Sequence, residues 1–166
     1  MEIFPVVIGC VSLQRLAELG LAARNTRRLR ARGAIELDRQ GYPLFPLLHG
    51  AWVATMLSLV PAATPPSWSL LILFGALQML RCWAIAALGR HWTTRVLILP
   101  DTPLVRRGPY RFCRHPNYLV VIGEIAILPL TFGAIGTAIV FSVLNLTLLS
   151  RRIAIENRGL AMRTGF

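Results

Sequence analysis

Five long apolar segments constrain the fold of this chain more than any other feature of its sequence. They cover approximately residues 4–23, 44–63, 68–88, 117–131 and 134–150. A helix needs about 20 predominantly apolar residues to cross a bilayer, with a range of about 17–25, so the first three segments are long enough and the last two are marginal. The last two predict a tight helical hairpin. With 55% hydrophobic and 15% charged residues, the composition predicts an all-α integral membrane protein.

Clusters of arginine occupy alternate connections between these segments. Residues 24–39, residues 89–116 and the tail after residue 150 are rich in arginine, whereas 61–67 and the turn near 132–133 carry no charge. Cytoplasmic loops of membrane proteins are enriched in Lys and Arg. The pattern therefore predicts five transmembrane helices, with the N-terminus outside and the C-terminus in the cytoplasm. We expect a single membrane domain over residues 1–166, which ends in a short cytoplasmic tail helix.

The strongly basic composition, with a formal net charge of +11, raises the question of nucleic-acid binding. The arginines lie between apolar segments, and no signature of a DNA- or RNA-binding module accompanies them. We therefore expect membrane lipids as partners and no nucleic acid. Cys10, Cys82 and Cys113 share no spacing typical of metal ligands, so we expect unpaired thiols and no metal.

Several polar side chains lie within the apolar segments, where they are costly. A charged side chain at the centre of a bilayer costs about 2.5–3.5 kcal/mol on insertion scales. Glu124 lies about two turns into the fourth segment, so it either faces a wet cavity with a functional role or pairs with another side chain. Arg15 and Glu18 are spaced i, i+3 and can pair on one helix face. Gln78 and Arg81 repeat this spacing, and bonds between helices are the alternative to a functional role.

Residues 106–118 read RRGPYRFCRHPNY and directly precede the fourth apolar segment. Proline is favoured at the first helical position, so we expect Pro116 to begin this helix. A helix start presents unpaired N–H groups that bind anions, and Arg111 and Arg114 add positive charge beside it. The alternative is a basic loop of the positive-inside kind with tyrosines at the membrane interface. The combination of His115 with Pro116 at the helix start favours a binding site.

The segment GPYRFCRHPNY, an acid one to two turns later and RRIAIEN after the last apolar segment resemble the isoprenylcysteine carboxyl methyltransferase family. The resemblance covers about residues 88–160 and includes the upstream LGRHWTTRV and PLVRRGPY. Family members are integral membrane enzymes that use S-adenosylmethionine and release S-adenosylhomocysteine. The chain looks like a short bacterial branch that methylates hydroxyls of long-chain alkylresorcinols and alkylpyrones, which are products of type III polyketide synthases. The resemblance implies an O-methyltransferase of the inner (cytoplasmic) membrane with its active site facing the cytoplasm.

The resemblance also implies where the cofactor and the acceptor bind. Residues 89–118 and 151–160 would form a cofactor pocket on the cytoplasmic side, and a lipophilic acceptor would enter from the bilayer. The candidate cofactor-binding residues are Leu99, Tyr110, Arg114, His115, Pro116, Tyr118 and Glu156. The candidate catalytic residues are Glu124, His115 and Arg152. The chain has no Gly-x-Gly-x-x-Gly motif, so a soluble Rossmann-type methyltransferase is not supported.

The acceptor decides whether catalysis requires a general base. A terminal carboxyl group, with a pKa of about 3.3–3.7, is ionised at neutral pH, whereas a phenol has a pKa of about 10. A phenolic acceptor would need Glu124 or His115 as a base, with Arg152 or Arg114 steering its oxygen. A carboxyl acceptor of the isoprenylcysteine type would need only a cation to hold it.

Two further classes of function are open to a chain of this composition. A small transporter or channel could line a polar path with Glu124, Arg15, Glu18 and Arg81. Transporters often show internal repeats, and none is visible in this sequence. A reductase that uses a nicotinamide cofactor on sterol-like lipids is the other class, but the membrane reductases that share the His-Pro region have more than five helices. Binding of S-adenosylhomocysteine would separate a methyltransferase from both.

Overall fold

The computed structural model of the chain describes residues 2–99, 103 and 105–164, with side chains as far as Gly159. Its main elements are five α-helices: α1 (Ile3–Ala31), α2 (Leu44–Leu59), α3 (Trp68–Leu88), α4 (Pro116–Thr131) and α5 (Ile135–Thr164). The connections contain two 3₁₀ turns (Gly89–His91 and Gly108–Arg111) and an antiparallel pair of short strands, β1 (Ile35–Glu36) and β2 (Leu97–Ile98). The described part of the chain is therefore predominantly helical, as the apolar segments predict.

Three of the helices, α1, α3 and α5, are long and apolar enough to cross a membrane. The other two, α2 and α4, are apolar but have 16 residues each. At 1.5 Å per residue each is about 24 Å long, which is less than the roughly 30 Å of the hydrocarbon core. The chain is an integral membrane protein, and five full crossings remain a prediction.

The second helix is shorter than the segment 44–63 that we expected. It ends at Leu59, and Val60 is already extended, with φ −98° and ψ 116°. The cause is Pro61, because a proline disfavours helical conformation in the residue before it.

The first helix is longer than expected. We expected it to end near residue 23 and residues 24–39 to form a loop, whereas α1 continues to Ala31. The added turns contain neither glycine nor proline, and Arg, Leu and Ala are good helix formers. The helix ends two residues before Gly33, which has φ 85°.

The extension of α1 holds the connection that follows α3. Asn25 is buried, and its side-chain amide donates to the carbonyl oxygens of Gly89 at 3.1 Å and Trp92 at 2.8 Å. The hydroxyls of Thr26 and Thr93 lie 2.8 Å apart. These bonds fix the backbone of residues 89–93 against α1.

The fifth helix also runs past its expected end. We expected a helix over 134–150 followed by a separate tail helix, whereas α5 is one helix from Ile135 to Thr164. Its sequence has no proline, and between Gly136 and Gly159 it has no glycine, so nothing interrupts the backbone hydrogen bonds. The tail is thus the continuation of a membrane helix.

The connections gather at two ends of the helix bundle that differ in charge. At the basic end, the chain before α2 meets the connection after α3, where the hydroxyls of Tyr42 and Thr94 lie 3.2 Å apart. At the apolar end, the rings of Phe4 and Phe132 pack edge to face with centroids 5.0 Å apart. The hydrophobic core extends inward from the apolar end through α1, α2, α3, α4 and α5 and contains Phe4, Ile8, Val11, Leu48, Trp52, Met56, Val60, Phe74, Val121, Ile125, Leu128, Phe132 and Phe141.

Four charged side chains join α1, α3 and α4 in the middle of the bundle, and we call them the ion cluster: Arg15, Glu18, Arg81 and Glu124. Arg81 donates from Nε and Nη2 to the two oxygens of Glu18 at 2.7 and 2.6 Å, and from Nη1 to Glu124 Oε2 at 3.1 Å. Arg15 contacts the same two carboxylates, each at 2.8 Å. The pairing of Arg15 with Glu18 that their spacing predicts is confirmed, and both carboxylates also bridge to Arg81.

The surroundings of Glu124 explain why α4 lies so close to α3. A Cβ atom on the preceding residue, Gly123, would lie 2.7 Å from Leu77 Cδ1, so a larger residue would force the Leu77 side chain to shift. Gln78 then donates to Glu124 Oε1 at 2.7 Å. The close contact brings the carboxylate within reach of the polar side chains of α3.

Glycine is also required where the connection before α4 meets the end of α3. Gly108 has φ 59°, and a Cβ atom there would lie 2.9 Å from Ala87 Cβ. The neighbouring Arg107 donates from Nε to the carbonyl oxygen of Ala87 at 3.0 Å. The Gly-Pro-Tyr sequence therefore begins with the residue that lets this connection dock on α3.

Replacing Arg81 by Met should strongly destabilise the protein. The change leaves Glu18 and Glu124 buried with Arg15 as the remaining arginine of the ion cluster, and breaking a buried ion pair in this way costs about 3–5 kcal/mol. Thermal unfolding in detergent measures the effect. The matched control, Arg30→Met, removes the ion pair to Glu36 from a side chain that is 49% exposed, for which about 0–1 kcal/mol is expected. Equal losses in the two variants would contradict a structural role for the ion cluster.

Replacing Gly108 by Ala should destabilise the connection before α4, because the new side chain meets Ala87 and the positive φ is strained. A backbone strain of this kind costs about 1–3 kcal/mol. The control is Gly9→Ala in α1, where the added methyl meets no atom of the described residues within 4 Å and a small stabilisation is expected. Melting temperatures of both variants in detergent decide the matter, and an unchanged value for Gly108→Ala would contradict the docking of this connection.

Candidate functional site

A cavity of about 1140 Å³ opens at the basic end and continues toward the ion cluster. Its inner end is lined by Arg15, Glu18 and Arg81. At its mouth lie six residues that we call the loop layer: Tyr110, Arg114, His115, Tyr118, Arg152 and Glu156. The cavity therefore joins an arginine-rich mouth to a pair of arginines inside the bundle.

Helix geometry gives the approximate depth of each part of the cavity. Tyr118 lies two residues from the start of α4 and Arg81 seven residues from the end of α3. At 1.5 Å per residue these positions are about 3 Å and about 10 Å below the basic end. His49, five residues from the start of α2, lies between them at about 7–8 Å. His49 also lines the cavity.

Tyr118 is the centre of the loop layer. Its hydroxyl donates to Glu156 Oε2 at 2.5 Å and accepts from Arg152 Nε at 3.1 Å. The ring of His115 stacks on that of Tyr118, with centroids 5.1 Å apart and an angle of 19° between the planes. These contacts bind the start of α4 to α5 and hold a carboxylate, a guanidinium and an imidazole beside one phenol.

The wall opposite Tyr118 is built by the start of α2 and the connection after α3. Arg152 reaches across the cavity and donates from Nη2 to the carbonyl oxygen of Thr94 at 2.5 Å. Its guanidinium carbon lies 4.7 Å from the centre of the Phe45 ring. On the same wall, the guanidinium carbon of Arg95 lies 3.8 Å from the centre of the Tyr42 ring. Two arginines thus present their charge against aromatic faces.

Two groups in the described connections at the basic end, outside the long helices, have shifted pKa values. Burial raises the pKa of Tyr110, and the charge of Glu156 raises it further, so this phenol remains a hydrogen-bond donor at physiological pH. Burial also raises the pKa of Glu36, but hydrogen bonds from Arg95 and Arg30 outweigh burial and the pKa lies below its usual range. The Glu36 carboxylate therefore stays charged and holds Arg95 beside the cavity.

The structure brings most of the predicted site residues to this cavity. Those that line it are Leu99, Tyr110, Arg114, His115, Tyr118, Arg152 and Glu156. Pro116 is buried at the first position of α4 and does not line the cavity. The predicted cofactor region 89–118 includes residues 100–102 and 104, which lie outside the described part of the chain.

Glu124 lies beneath the cavity wall instead of on it. Its side chain is 3% exposed, and its oxygens accept from Arg15, Arg81 and Gln78. It supports two arginines that border the cavity. Among the described residues, no group of three or more His, Cys, Asp or Glu side chains could hold a metal ion.

Sequence reasoning missed the α2 wall of the cavity. Tyr42, Phe45, His49 and Val53 line it. The last three lie in α2, where their spacing of four residues places them along one helix face. A polar and aromatic stripe on an otherwise apolar segment was the available signal. Asn117 was also missed; it lines the cavity, and its buried Oδ1 has no hydrogen-bond partner among the residues that the structure describes.

Comparisons with known proteins agree with this architecture. The model of the isoprenylcysteine carboxyl methyltransferase (ICMT) family matches residues 70–162, which include α4, the loop layer and most of α5. The uncharacterized protein YpbQ of Bacillus subtilis (strain 168) is 37% identical over 161 residues, 95% of this chain and 96% of its own length. An uncharacterized protein of Haemophilus influenzae (strain Rd) is 28% identical over 165 residues, 94% of each chain.

No solved structure matches the chain. The family match covers more than half of the sequence, and the Bacillus relative is similar along nearly the whole of it. Members of the family are methyltransferases that depend on S-adenosylmethionine. The chain belongs to the ICMT family, and this membership implies that it is a membrane methyltransferase.

Proposed function

We propose that this protein transfers a methyl group from S-adenosylmethionine to a hydroxyl of a lipophilic acceptor, with a long-chain alkylresorcinol or alkylpyrone as the favoured class. The observation that supports this most is the single cavity that joins a basic, aromatic mouth to a lipid-accessible interior. A charged donor and an oily acceptor can both reach such a cavity. The donor could enter from water without crossing the bilayer, and the acceptor could enter from the bilayer without crossing water.

The residues of the loop layer fit the cofactor. Its methionine end carries a carboxylate, for which arginine is the best partner, and Arg114 lies at the mouth beside the start of α4. Its ammonium and ribose hydroxyls need acceptors, and Glu156 and the unpartnered Oδ1 of Asn117 supply them. Leu99 and Tyr110 offer apolar and aromatic surface for the adenine.

When bound, S-adenosylmethionine supplies a methyl group that is already activated on a sulfonium. The task of the protein is therefore orientation, and alignment of reacting groups is worth up to about 7–11 kcal/mol. Tyr118 orients Glu156 and Arg152, and Arg152 bridges to Thr94 on the opposite wall. We assign Arg152 and His115 to holding the reactants at the loop layer, from which the cavity continues into the bundle.

The interior of the cavity fits an acceptor with a long apolar chain. Leu16 lines the cavity and yet is 66% exposed, so the cavity reaches the lipid-facing surface beside α1. Leu19, Pro46 and Val53 continue this lining between α1 and α2. An alkyl chain can therefore lie in the bilayer while the polar head of the acceptor enters between these helices.

The ion cluster favours a hydroxyl over a carboxyl acceptor. Its two arginines face two glutamates, so the inner end of the cavity has no surplus positive charge for an incoming carboxylate. The same contacts speak against Glu124 as a general base, because its lone pairs are occupied by Arg15, Arg81 and Gln78. We assign to Glu124 the role of positioning the two arginines.

Carboxyl methylation of an isoprenylcysteine-type substrate is the second candidate, since the family carries that name and Arg114 at the mouth could hold a carboxylate. For either acceptor, we propose that the basic end faces the cytoplasm of the inner membrane. The arginine-rich connections at this end support the orientation. Neither a transport path nor a nicotinamide reductase is favoured by the family match.

The purified protein in detergent should transfer radiolabelled methyl groups from S-adenosylmethionine to a long-chain alkylresorcinol or alkylpyrone. Extraction of labelled lipid measures the product, and calorimetry with S-adenosylhomocysteine measures cofactor binding. A prenylcysteine analogue is the comparison acceptor. Methylation of that analogue alone would replace the hydroxyl by the carboxyl reaction, and the absence of S-adenosylhomocysteine binding would contradict a methyltransferase altogether.

Replacing Tyr118 by Phe should weaken S-adenosylhomocysteine binding about tenfold, because the variant loses the hydroxyl that ties Glu156 to Arg152. Loss of hydrogen bonds to charged groups costs about 1.5–3 kcal/mol, part of which appears as cofactor affinity. The control, Thr147→Val, removes a hydroxyl that bonds only the backbone of exposed α5 surface. Unchanged binding in Tyr118→Phe would contradict the cofactor role of the loop layer.

A further inference from the structure

We infer that His49 of α2 is the general base of the reaction: its Nε2 takes the proton of the acceptor hydroxyl. The inference rests on the proposed function, because a carboxylate acceptor would need no base. It assigns the proton to a residue outside the Arg-His-Pro motif and outside residues 70–162, which the family model matches.

A hydrogen bond to the backbone fixes the tautomer of His49. Its Nδ1 lies 2.9 Å from the carbonyl oxygen of Phe45. A carbonyl oxygen can only accept a hydrogen bond, so Nδ1 carries the proton, and in the neutral ring Nε2 has a free lone pair. The backbone of α2 therefore holds the imidazole in the form that can accept a proton.

His49 lies in the cavity between the loop layer and the ion cluster. His49 lines the cavity about 7–8 Å below the basic end, between Tyr118 at about 3 Å and Arg81 at about 10 Å. A cofactor held by the loop layer and an acceptor entering from the lipid side must meet between these two depths. The sequence offers two base candidates, Glu124 and His115. The carboxylate oxygens of Glu124 are engaged by Arg15 and Arg81, and His115 lies at the mouth against Tyr118 and Asn157.

The charged groups around the His49 ring belong to the ion cluster. The charges that act on His49 come from Arg15 of α1, Arg81 of α3 and Glu124 of α4. Together with Glu18 they form the ion cluster, which has two positive and two negative groups and therefore no net charge. The Glu124 carboxylate lies near enough to act on the ring, and the cavity, which opens at the basic end, gives a transferred proton a path to water.

Proton transfer to His49 accompanies methyl transfer to the acceptor oxygen. The acceptor O–H bond breaks and its proton goes to Nε2, while the freed electron pair of oxygen forms the new O–CH₃ bond. The bond from the methyl carbon to sulfur breaks and its electron pair stays on sulfur, which yields neutral S-adenosylhomocysteine. Imidazolium then returns its proton to water through the cavity, so no oxidant or metal is needed.

The variant His49→Gln tests the inference, with Ser58→Ala as the matched control. Ser58 lies on the same helix and bonds the carbonyl oxygen four residues before it, as His49 does, but it is exposed. The rate of alkylresorcinol methylation should fall about 10²–10⁴-fold in His49→Gln and stay unchanged in Ser58→Ala. Calorimetry with S-adenosylhomocysteine should show unchanged cofactor affinity in both.

Two readouts separate a base from a structural residue. The loss should be much smaller for a more acidic alkylpyrone hydroxyl, and added imidazole should partly restore His49→Ala. A long-chain alkyl nitrophenol should show the longer-wavelength absorption of its phenolate when bound to the wild-type protein without cofactor, and His49→Gln should abolish this shift.

The possible results distinguish a failure of the role of His49 from a failure of the proposed function. Wild-type rates and spectra in His49→Gln, with hydroxyl methylation intact, would overturn the role of His49 and leave the proposed function standing. Equal losses for resorcinol and pyrone with no rescue by imidazole would also overturn it. If the wild-type protein methylates no hydroxyl, the proposed function fails and the inference fails with it.

Discussion

The pairing of two arginines with two glutamates inside the membrane is the interaction on which the rest of the structure depends. Charges cannot stay unpaired in a low-dielectric interior without a large free-energy cost, so Arg15, Glu18, Arg81 and Glu124 must meet. Their helices are thereby held at one relative depth, with α4 close against α3 at Gly123. This contact sets both the inner end of the cavity and the position from which α4 reaches the basic end.

The ion cluster also determines the geometry of the basic end. Because α4 is fixed by the ion cluster, Tyr118 in its first turn meets Glu156 and Arg152 of the long α5. The extended α1 fixes the connection after α3 through Asn25, which completes the opposite wall. A polar mouth and an inner end lined by the ion cluster consequently belong to one cavity, and the proposed methyl transfer to a lipophilic acceptor makes use of this combination.

The sequence predicted some of these features better than others, for physical reasons. Apolar segments and Pro116 predicted the helices and the start of α4, since hydrophobic length and proline act locally. The predicted ends of α1 and α5 were wrong. Arginine-rich sequence has the charge expected of a loop, but arginine is also a good helix former. The partners of Glu124 could not be predicted from the sequence. The spacing of residues shows which side chains are neighbours on one helix, but not which side chains meet across three helices. From the sequence, His49 is interpreted as a packing hydrogen bond between helices, because no motif surrounds it that would indicate a role in the site.

The central claim is that cofactor and acceptor meet inside this one cavity, between Tyr118 and the ion cluster. The most direct measurement is an experimental structure of the protein with S-adenosylhomocysteine and a long-chain alkylresorcinol bound. The account predicts the nucleoside at the loop layer, a resorcinol hydroxyl within hydrogen-bond distance of His49 Nε2, and the alkyl chain leaving between α1 and α2. A resorcinol ring bound at the apolar end, or outside the bundle, would contradict it.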